Sequence, residues 1–460
     1  MMKYIPIVFV VLLMCYSCDS NKKTKEIRKP NIVIILADDL GYADVGYNGC
    51  KDIPTPNIDA MAKEGIIFTN GYVTGAVCGP TRAGLVTGRY QQRFGSEFLP
   101  GPRKRSENVK VGVPLTETFV STRLKKLGYN TACFGKWHLG GESGDQDLFP
   151  LNRGFDKFFG FLEGAALYDD VNNKERKYMR GNEELVMEQE YYTDAITREA
   201  LTFIDENKDH PFFLYLPYNA VHAPLQAPAK YLKQFDHIQH PKRKLLAAMN
   251  YALDLSIGEV LTEIKEKGLE ENTLIFFLSD NGGKPKGNYS YNLPLRGEKG
   301  QHYEGGVHIP FTVKWKNNIP ENITYDKPIS SLDIVPTILA AVGEPIQEEW
   351  NLDGVNLLPY IKGDDNMTPH ETLFWREGNK SAMRTLDWKF VKVDDKVELF
   401  NISNDPYETT DLAAIHPEKL EELMKLYDEW NANNIPAQYG RNPKEFPIEV
   451  IRTRRTELPR

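Results

Sequence analysis

Four short apolar runs limit the architectures available to this chain. They cover residues 31–36, 130–134, 212–216 and 273–278. Apolar residues at consecutive positions are typical of a parallel strand that is buried on both faces of its sheet. Segments with helical patterns separate these runs. The sequence therefore predicts an α/β fold, in which helices flank a mostly parallel central sheet.

The helical segments carry boundary signals. One helix is expected directly after Thr55, which would be its N-cap. A second is expected from Leu115 to Leu127, with Thr116 as its N-cap. Apolar periodicity predicts two more helices, at 194–207 and 243–267.

Polar side chains of catalytic type follow each of the four strands. Because parallel strands of an open sheet present their carboxyl ends at one edge, we expect these side chains to gather there. The positions are Asp38, Asp39, Lys136, His138, His222, Asp280 and Asn281. This edge of the sheet is therefore the predicted site.

Residues 77–89 predict an anion site at the start of a helix. Pro80 suits the first helical position and Gly88 suits a left-handed stop, so Cys78 should lie at the helix N-terminus. Exposed N–H groups and the positive end of the helix dipole meet there, and Arg82 lies one turn along the same face. We therefore expect an anionic substrate.

The same stretch resembles a known family signature. Cys-x-Pro-x-Arg at 78–82, followed by Ala-Gly-Leu-Val-Thr-Gly-Arg at 83–89, resembles the motif of the formylglycine-dependent sulfatases, in which that cysteine is oxidised to an aldehyde after translation. The extended run is far more specific than its five-residue core. The alternative interpretation of Cys78 is a small buried cysteine, which is the commonest role of a free thiol.

The resemblance extends through most of the chain. It implies the alkaline-phosphatase-like fold of that family. The matching segments are Asp38-Asp39, 55–59, 135–138, His222, 280–282, 295–299, 303–306 and 387–389. One departure is His308, where many relatives carry Arg, and it concerns the substrate pocket rather than the core chemistry.

Four of the residues at the strand ends offer only oxygen ligands. Hard oxygens favour calcium or magnesium over zinc, and four protein side chains leave few positions for water, which favours calcium. Any one of the aspartates could instead cap a helix. By the resemblance, Asp38, Asp39, Asp280 and Asn281 hold one calcium ion together with the hydrated aldehyde of Cys78.

The resemblance also implies roles for the other charged residues. Lys136 and Lys299 would bind sulfate oxygens, and Arg82 would steady the aldehyde hydrate. One hydroxyl of the hydrate would attack sulfur and the second would later expel sulfate, with the metal as Lewis acid. His138 would accept the proton during that collapse, and His222 would protonate the leaving oxygen. The alternatives are solvated surface histidines and, for Lys299, mere surface charge.

Composition agrees with an enzyme that acts on an anion. The 460 residues are 11% aromatic and 26% charged, as in an ordinary globular enzyme, and they suffice for two domains. The net charge of −8 gives no basic surface for nucleic acid. An acidic protein with an anionic substrate must therefore concentrate a few cations at its site.

Residues 1–18 are expected to be a signal peptide. The apolar run at 5–14 is too short to span a bilayer as a mature helix. The junction before Cys18 and the polar tether 19–28 resemble a bacterial lipoprotein site with Cys18 lipidated, although Cys15 stands where a Leu is usual. The alternative is simple cleavage nearby. In both cases the protein is exported, to the periplasm or the cell surface.

Removal of the signal segment leaves an odd number of cysteines, namely Cys50, Cys78 and Cys133. Conversion of Cys78 to an aldehyde would leave two. Whether Cys50 and Cys133 then pair is open at this point.

The expected catalytic domain spans 29–345, and a smaller C-terminal subdomain spans 346–445. In the subdomain, four short runs separated by turn residues predict an antiparallel sheet, and an amphipathic helix is expected from Pro417 to Asn433. Residues 446–460 should form a solvated tail.

These inferences favour an exported, calcium-dependent sulfatase that hydrolyses sulfate esters of a carbohydrate. Its partners would be a sulfated saccharide and the enzyme that matures Cys78. Two alternatives stay open. One is a phosphodiesterase or phosphonate monoester hydrolase of the same superfamily, and the other is a non-catalytic glycan-binding lipoprotein. Specificity should lie in loops such as 163–180 and 285–294.

Overall fold

The computed structural model describes residues 28–168, 177–441 and 451–452. The predicted signal peptide, the lipidation at Cys18 and the tether up to residue 27 lie outside the described residues, as does most of the predicted tail. None of the described helices has the length and apolar character needed to cross a bilayer.

Helices and strands alternate through the first three quarters of the chain. The helices are α1 (Pro56–Lys63), α2 (Cys78–Thr87), α3 (Val120–Lys126), α4 (Tyr192–Glu206), α5 (Ala229–Leu232), α6 (Pro241–Glu266), α7 (Glu304–Val307), α8 (Ile334–Ala341), α9 (Leu358–Lys362) and α10 (Pro417–Asn431). The first ten strands are β1 (Asn31–Ala37), β2 (Ile66–Phe68), β3 (Gly71–Tyr72), β4 (Arg103–Lys104), β5 (Asn130–Lys136), β6 (Lys157–Phe161), β7 (Lys177–Arg180), β8 (Glu184–Met187), β9 (Phe212–Pro217) and β10 (Thr273–Ser279). The others are β11 (Phe311–Lys314), β12 (Ile323–Tyr325), β13 (Ile329–Ser330), β14 (Leu373–Glu377), β15 (Lys380–Arg384), β16 (Trp388–Val393), β17 (Lys396–Asn401), β18 (Tyr439–Gly440) and β19 (Ile451–Arg452).

Ten of these strands form one sheet, in the order β12-β2-β11-β10-β1-β9-β5-β6-β7-β8. The five strands from β10 to β6 in that order run parallel, which confirms the predicted sheet. The register places Ala37 opposite Ser279 and Leu36 opposite Pro217. Residues that follow β1, β9 and β10 therefore leave the sheet at one edge.

The central sheet is covered on both faces, as its apolar strands require. Ile32 and Ile34 of β1 pack into a core with α2, α3, α8 and α9. Val33 and Ile35 point to the opposite face and pack with α1, α4 and α6. The alternation of side chains along β1 thus buries two separate hydrophobic layers.

A smaller antiparallel sheet, in the order β14-β15-β16-β17, lies beside the central one. Helix α10 packs on this sheet. Its residues Leu423, Tyr427 and Trp430 form a core with Phe390 of β16 and Leu399 of β17. This confirms the predicted C-terminal sheet and helix. A third sheet, β18-β4-β19, joins the end of the chain to the loop that follows α2.

The helix predicted from Leu115 begins later, at Val120, so Thr116 is not its N-cap. Both carboxylate oxygens of Glu117 accept hydrogen bonds from Arg89 Nη1, at 2.8 and 2.9 Å. The backbone forms a turn there instead, in which the N–H of Glu117 donates to the carbonyl of Pro114 at 3.0 Å.

Thr55 occupies the N-cap position of α1, but its side chain does not cap the helix. Its hydroxyl instead donates to Asp59 at 3.1 Å. The cap comes from α6, where Asp254 Oδ1 accepts the N–H groups of Asn57 at 3.0 Å and Ile58 at 2.9 Å. A carboxylate from a distant helix thus satisfies the free donors of α1.

Candidate active site

Cys78 is the first residue of α2 and is 2% exposed. Gly88 ends the helix with φ 71°, as predicted. Pro80 is the third helical residue rather than the first. The position is tolerated because the N–H groups of the first helical turn have no partner within the helix.

The carboxyl edge of the central sheet gathers the predicted side chains around Cys78. Ligand atoms of Asp38, Cys78 and Asp280 lie within 4.8 Å of one another. The same holds for Asp38, Asp39 and His222. Strand register explains this proximity, because β1 and β10 are adjacent and end together.

Arg82 lies beneath this group, fully buried. Its Nε and Nη2 both donate to Asp280 Oδ2, at 3.0 and 2.8 Å, and its Nη1 donates to the carbonyl of Lys136 at 2.9 Å. Burial alone would lower the pKa of the guanidinium, but Asp280 and Asp38 raise it above its usual value. Arg82 therefore stays charged, and within the described chain it acts on Cys78 through charge rather than a hydrogen bond.

Two lysines each bind one aspartate of the site. Lys136 Nζ lies 2.5 Å from Asp38 Oδ2, and Lys299 Nζ lies 2.5 Å from Asp39 Oδ1. Lys299 Nζ is also 4.0 Å from Cys78 Sγ. Burial alone would lower the pKa of Lys299, but Asp39 raises it above its usual value. Both ammonium groups thus lie among the carboxylates of the site.

The pKa values of two carboxylates in the site are shifted in opposite directions. Burial, followed by repulsion from Asp38, raises the pKa of Asp280 to about 6 against the pull of Arg82. Burial would also raise the pKa of Asp39, but Lys299 holds it well below its usual value. Crowding of like charge at one point is the condition under which a bound cation stabilises a site most.

Two buried oxygen atoms show that the residues fit a hard cation. Asp38 Oδ1 and Asn281 Oδ1 have no hydrogen-bond partner among the described residues. Asn281 Nδ2 donates to Asp39 Oδ1 at 2.8 Å and to the carbonyl of Gly282 at 2.9 Å, so the amide oxygen is the atom left without a partner. Buried polar atoms without a partner are costly, and oxygen donors of this kind suit calcium.

His138 lies directly against Cys78. Its Nδ1 is 3.3 Å from Cys78 Sγ, and its backbone adopts φ 55°. Burial, and then the charges of Lys136 and Arg441, lower the pKa of this imidazole well below its usual value. His138 is therefore a neutral ring beside the cysteine.

His222 lies on the other side, next to Asp39. Its Nε2 is 3.7 Å from Asp39 Oδ2, and its Nδ1 is 2.5 Å from the carbonyl of Ala223. A carbonyl only accepts, so Nδ1 carries the hydrogen and Nε2 faces the site. Burial lowers the pKa of His222 to about 4, although Asp39 opposes this.

Two further residues hold these loops and carry no sequence signal that predicts their contacts. Asn288, which is buried, donates to the carbonyls of Asp39 at 3.3 Å and Val221 at 3.1 Å. The Tyr168 hydroxyl donates to the carbonyl of His222 at 2.8 Å. Asn288 stands in a loop whose local pattern indicates only a turn, so no signal pointed to its distant partners.

His308 lies away from Cys78. Its Nδ1 is 3.0 Å from Glu304 Oε2 and its Nε2 is 2.7 Å from the carbonyl of Thr69. With Arg384 it lines a separate cavity of about 540 Å³. The departure seen in the sequence thus concerns this cavity.

Cys50, Cys78 and Cys133 are all free thiols.

Comparisons with known proteins agree with this geometry. The Sulfatase family profile matches residues 30–344. The uncharacterized sulfatase YdeN of Escherichia coli (strain K12) is 34% identical over 402 residues, which are 75% of this chain and 68% of YdeN. Arylsulfatase J of Mus musculus is 30% identical over 490 residues, with 91% and 79% covered. The crystal structure of Ps i-CgsB in complex with k-i-k-neocarrahexaose superposes with a TM-score of 0.84 at 38% identity, over 91% of this chain and 96% of that one.

Proposed function

We propose that this protein removes sulfate from a sulfated saccharide. The chain belongs to the sulfatase family and is therefore a sulfuric ester hydrolase. The observation that carries the proposal is the buried cluster around Cys78, where three aspartates and three cations meet. The oligosaccharide in the Ps i-CgsB structure supports the saccharide as substrate class.

We further propose that Cys78 is converted to formylglycine. In this proposal one calcium ion is held by Asp38, Asp39, Asp280 and Asn281 together with the modified Cys78 side chain. The unpartnered oxygens of Asp38 and Asn281 support the assignment. With both groups in place, the aldehyde hydrate supplies a nucleophilic oxygen, and the ion makes that oxygen more acidic.

Lys136 and Lys299 are proposed to bind the sulfate group. An ammonium group has three donors, and Asp38 takes one from Lys136 while Asp39 takes one from Lys299. The remaining donors are available to sulfate oxygens, and Lys299 Nζ already lies 4.0 Å from Cys78 Sγ. Donors held in place before the reaction stabilise the charge that spreads over those oxygens in the transition state.

The two histidines are proposed to move protons. Neutral His138 accepts a proton at Nδ1, the nitrogen 3.3 Å from the Cys78 side chain, in the tautomer whose Nε2–H faces Glu142 Oε1 at 3.7 Å. His222 delivers one from Nε2 to the leaving oxygen. Because its pKa is lowered to about 4 in the free protein, protonation of His222 accompanies the arrival of the sulfate anion.

Parallel rate measurements test the function. The protein should hydrolyse 4-nitrophenyl sulfate and members of a panel of defined sulfated saccharides, including k-i-k-neocarrahexaose, much faster than an aryl phosphate diester. Faster cleavage of the phosphate diester would favour the phosphodiesterase alternative. Absence of turnover by protein with modified Cys78 would favour the glycan-binding alternative.

We also propose export with a lipid anchor at Cys18. The proposal is supported by the apolar run and polar tether of the sequence. Labelling of cells with a fatty acid should mark the wild-type protein and not Cys18→Ala. Equal labelling of both would contradict the anchor.

A further inference from the structure

The end of the C-terminal subdomain reaches the wall of the active site. Strand β18 pairs with β4, with Tyr439 opposite Lys104, and this pairing brings the next residues to His138. Arg441 Nη2 lies 3.4 Å from His138 Nε2. The Nδ1 of the same ring is 3.3 Å from Cys78 Sγ. A single imidazole ring therefore separates Arg441 from the reacting position.

Two nitrogens of the Arg441 guanidinium are held by neighbouring residues and the third is not. Its Nε donates to the carbonyl of Pro100, and its Nη2 lies 3.4 Å from Glu142 Oε2. Its Nη1 makes no hydrogen bond to any described residue, and the side chain is 42% exposed. With Nε and Nη2 held in this way, Nη1 is the donor left for an oxyanion, and binding costs the side chain little further freedom.

The backbone at Gly164 lies against His138 and this guanidinium. A Cβ atom at Gly164 would lie 2.9 Å from His138 Nε2 and 3.4 Å from Arg441 Nη2. Any larger residue at position 164 would therefore displace the His138 ring or Arg441. Glycine lets the chain pass this close to both side chains.

Charge balance shows why another cation is needed there. The three cations of the site are each engaged by an aspartate, namely Arg82 by Asp280, Lys136 by Asp38 and Lys299 by Asp39. The chain as a whole carries a net charge of −8 and so repels a polyanion. In the proposed function the remaining donors of this set bind the sulfate that is removed, so a second anionic group requires another cation. Arg441 is positioned for it, because its ion pair with Glu142 is long, at 3.4 Å, and partly exposed.

We propose that Arg441 binds a second anionic group of the saccharide, a sulfate ester or a carboxylate, beyond the sulfate that is removed. The inference rests on the proposed function and specifies its substrate class as a polyanionic saccharide. Arg441 is thus a specificity-determining residue that the C-terminal subdomain supplies to the catalytic centre.

The test uses a matched pair of oligosaccharides that share the scissile sulfate and differ only in one further anionic group. For the wild type, KM should be lower on the compound with two anionic groups. Arg441→Ala should raise that KM by about 10- to 100-fold, the range for a lost hydrogen bond to a charged group, and raise the other KM far less. Arg441→Lys should recover part of the preference, because the charge returns without the fork.

Arg105→Ala is the matched control. Arg105 Nε donates to the carbonyl of Ala437 at 2.8 Å, so it supports the same segment without reaching His138. This variant should shift the KM values for both compounds by similar factors. Equal effects of Arg441→Ala on both compounds would overturn the proposal and make Arg441 a positioning residue for His138.

Binding separates this inference from the proposed function. Calorimetry with Cys78→Ala protein measures the affinity for the same pair without turnover. The preference for two anionic groups should be present there and should disappear in the Cys78→Ala, Arg441→Ala double variant. A preference that survives in the double variant contradicts the assignment, whereas a lack of turnover in the wild type bears only on the function.

Discussion

Two clusters of buried charged residues differ in how completely their polar atoms are paired. The active-site cluster consists of Asp38, Asp39, Asp280, Arg82, Lys136 and Lys299 around Cys78. The junction cluster consists of Glu304, Glu408, Lys389, His308 and Tyr72, between the catalytic domain and the small sheet. Lys389 Nζ lies 2.7 Å from Glu304 Oε1 and 2.9 Å from Glu408 Oε1.

The junction cluster is closed by its own partners. Glu304 Oε2 accepts the Tyr72 hydroxyl at 2.6 Å and lies 3.0 Å from His308 Nδ1. Glu408 Oε2 accepts the N–H of Glu304 at 2.8 Å. Glu408 Oε1 accepts no hydrogen bond from a described residue but lies 2.9 Å from the Lys389 ammonium group.

In the active-site cluster, Asp38 Oδ1 and the neighbouring Asn281 Oδ1 have no partner within the described chain, and Cys78 beside them is a free thiol. The family resemblance covers members of both clusters, including Glu304 and Lys389, but the two clusters differ in these unpartnered groups.

The largest effect is expected when a carboxylate of the active-site cluster is removed. Asp280→Ala removes a proposed ligand and leaves Arg82 without the carboxylate oxygen that accepts from its Nε and Nη2. We expect loss of calcium and at least about a 10³-fold fall in kcat/KM on 4-nitrophenyl sulfate. Asp39→Ala should behave in the same way, and Asp254→Ala, a buried carboxylate outside both clusters, should keep its calcium. Wild-type calcium content in both site variants, by elemental analysis, would contradict the ligand assignment.

The next effect separates roles within the active-site cluster. A sugar alkoxide needs a proton as it leaves, whereas a nitrophenolate does not. His222→Ala should therefore lose about 10²–10⁴ in kcat/KM on a sugar sulfate and much less on 4-nitrophenyl sulfate. Lys136→Ala should damage both reactions, because both substrates share the sulfate group. Thermal melts check that the variants are folded. If His222→Ala slows both substrates equally, it is not the proton donor.

In the junction cluster the same kind of change should affect stability instead. Lys389→Ala removes the ammonium group that two buried carboxylates share, and we expect the free energy of unfolding to fall by about 3–5 kcal/mol. The kcat of the folded fraction should stay unchanged. Lys314→Ala is the control, because Lys314 also bridges two glutamates but Glu64 is 54% exposed, so the loss should be about 1 kcal/mol. A fall in kcat without loss of stability would place Lys389 in the catalytic machinery.

A smaller effect is expected at Asp254, a buried carboxylate that accepts hydrogen bonds from α1. Burial raises the pKa of Asp254 to about 6 from 3.8. The folded protein therefore holds this proton more tightly than the unfolded chain, and the stability Asp254 contributes is full below pH 3.8 and lost as pH rises through 6. Asp254→Asn lacks this dependence. Relative to wild type it should gain up to about 3 kcal/mol between pH 4 and pH 8 in urea unfolding. A constant difference across pH would contradict the raised pKa.

Sequence alone predicts the sheet and the members of the active-site cluster well, because both depend on local patterns. Apolar runs mark β1, β5, β9 and β10, and the edge rule places Asp38 near Asp280 before any contact is known. The signature around Cys78 adds the helix start. These signals lie within a few residues of the positions that they predict.

What sequence analysis missed depends on contacts between distant residues. Glu117, which precedes α3, pairs with the distant Arg89, and α1 is capped by Asp254 instead of Thr55. Arg441 follows a two-residue strand whose partner lies more than 300 positions earlier, so nothing in its neighbourhood pointed to His138. Local propensity cannot choose such partners, since tertiary packing decides them.

The mass of the peptide that contains Cys78 tests the central claim most directly. Trypsin releases residues 64–82, in which Cys78 is the only cysteine. In active protein this peptide should carry CHO in place of CH2SH and react with a hydrazide, and the modified fraction should rise in proportion to specific activity across preparations. Full activity in a preparation that holds only the unmodified thiol would contradict the account.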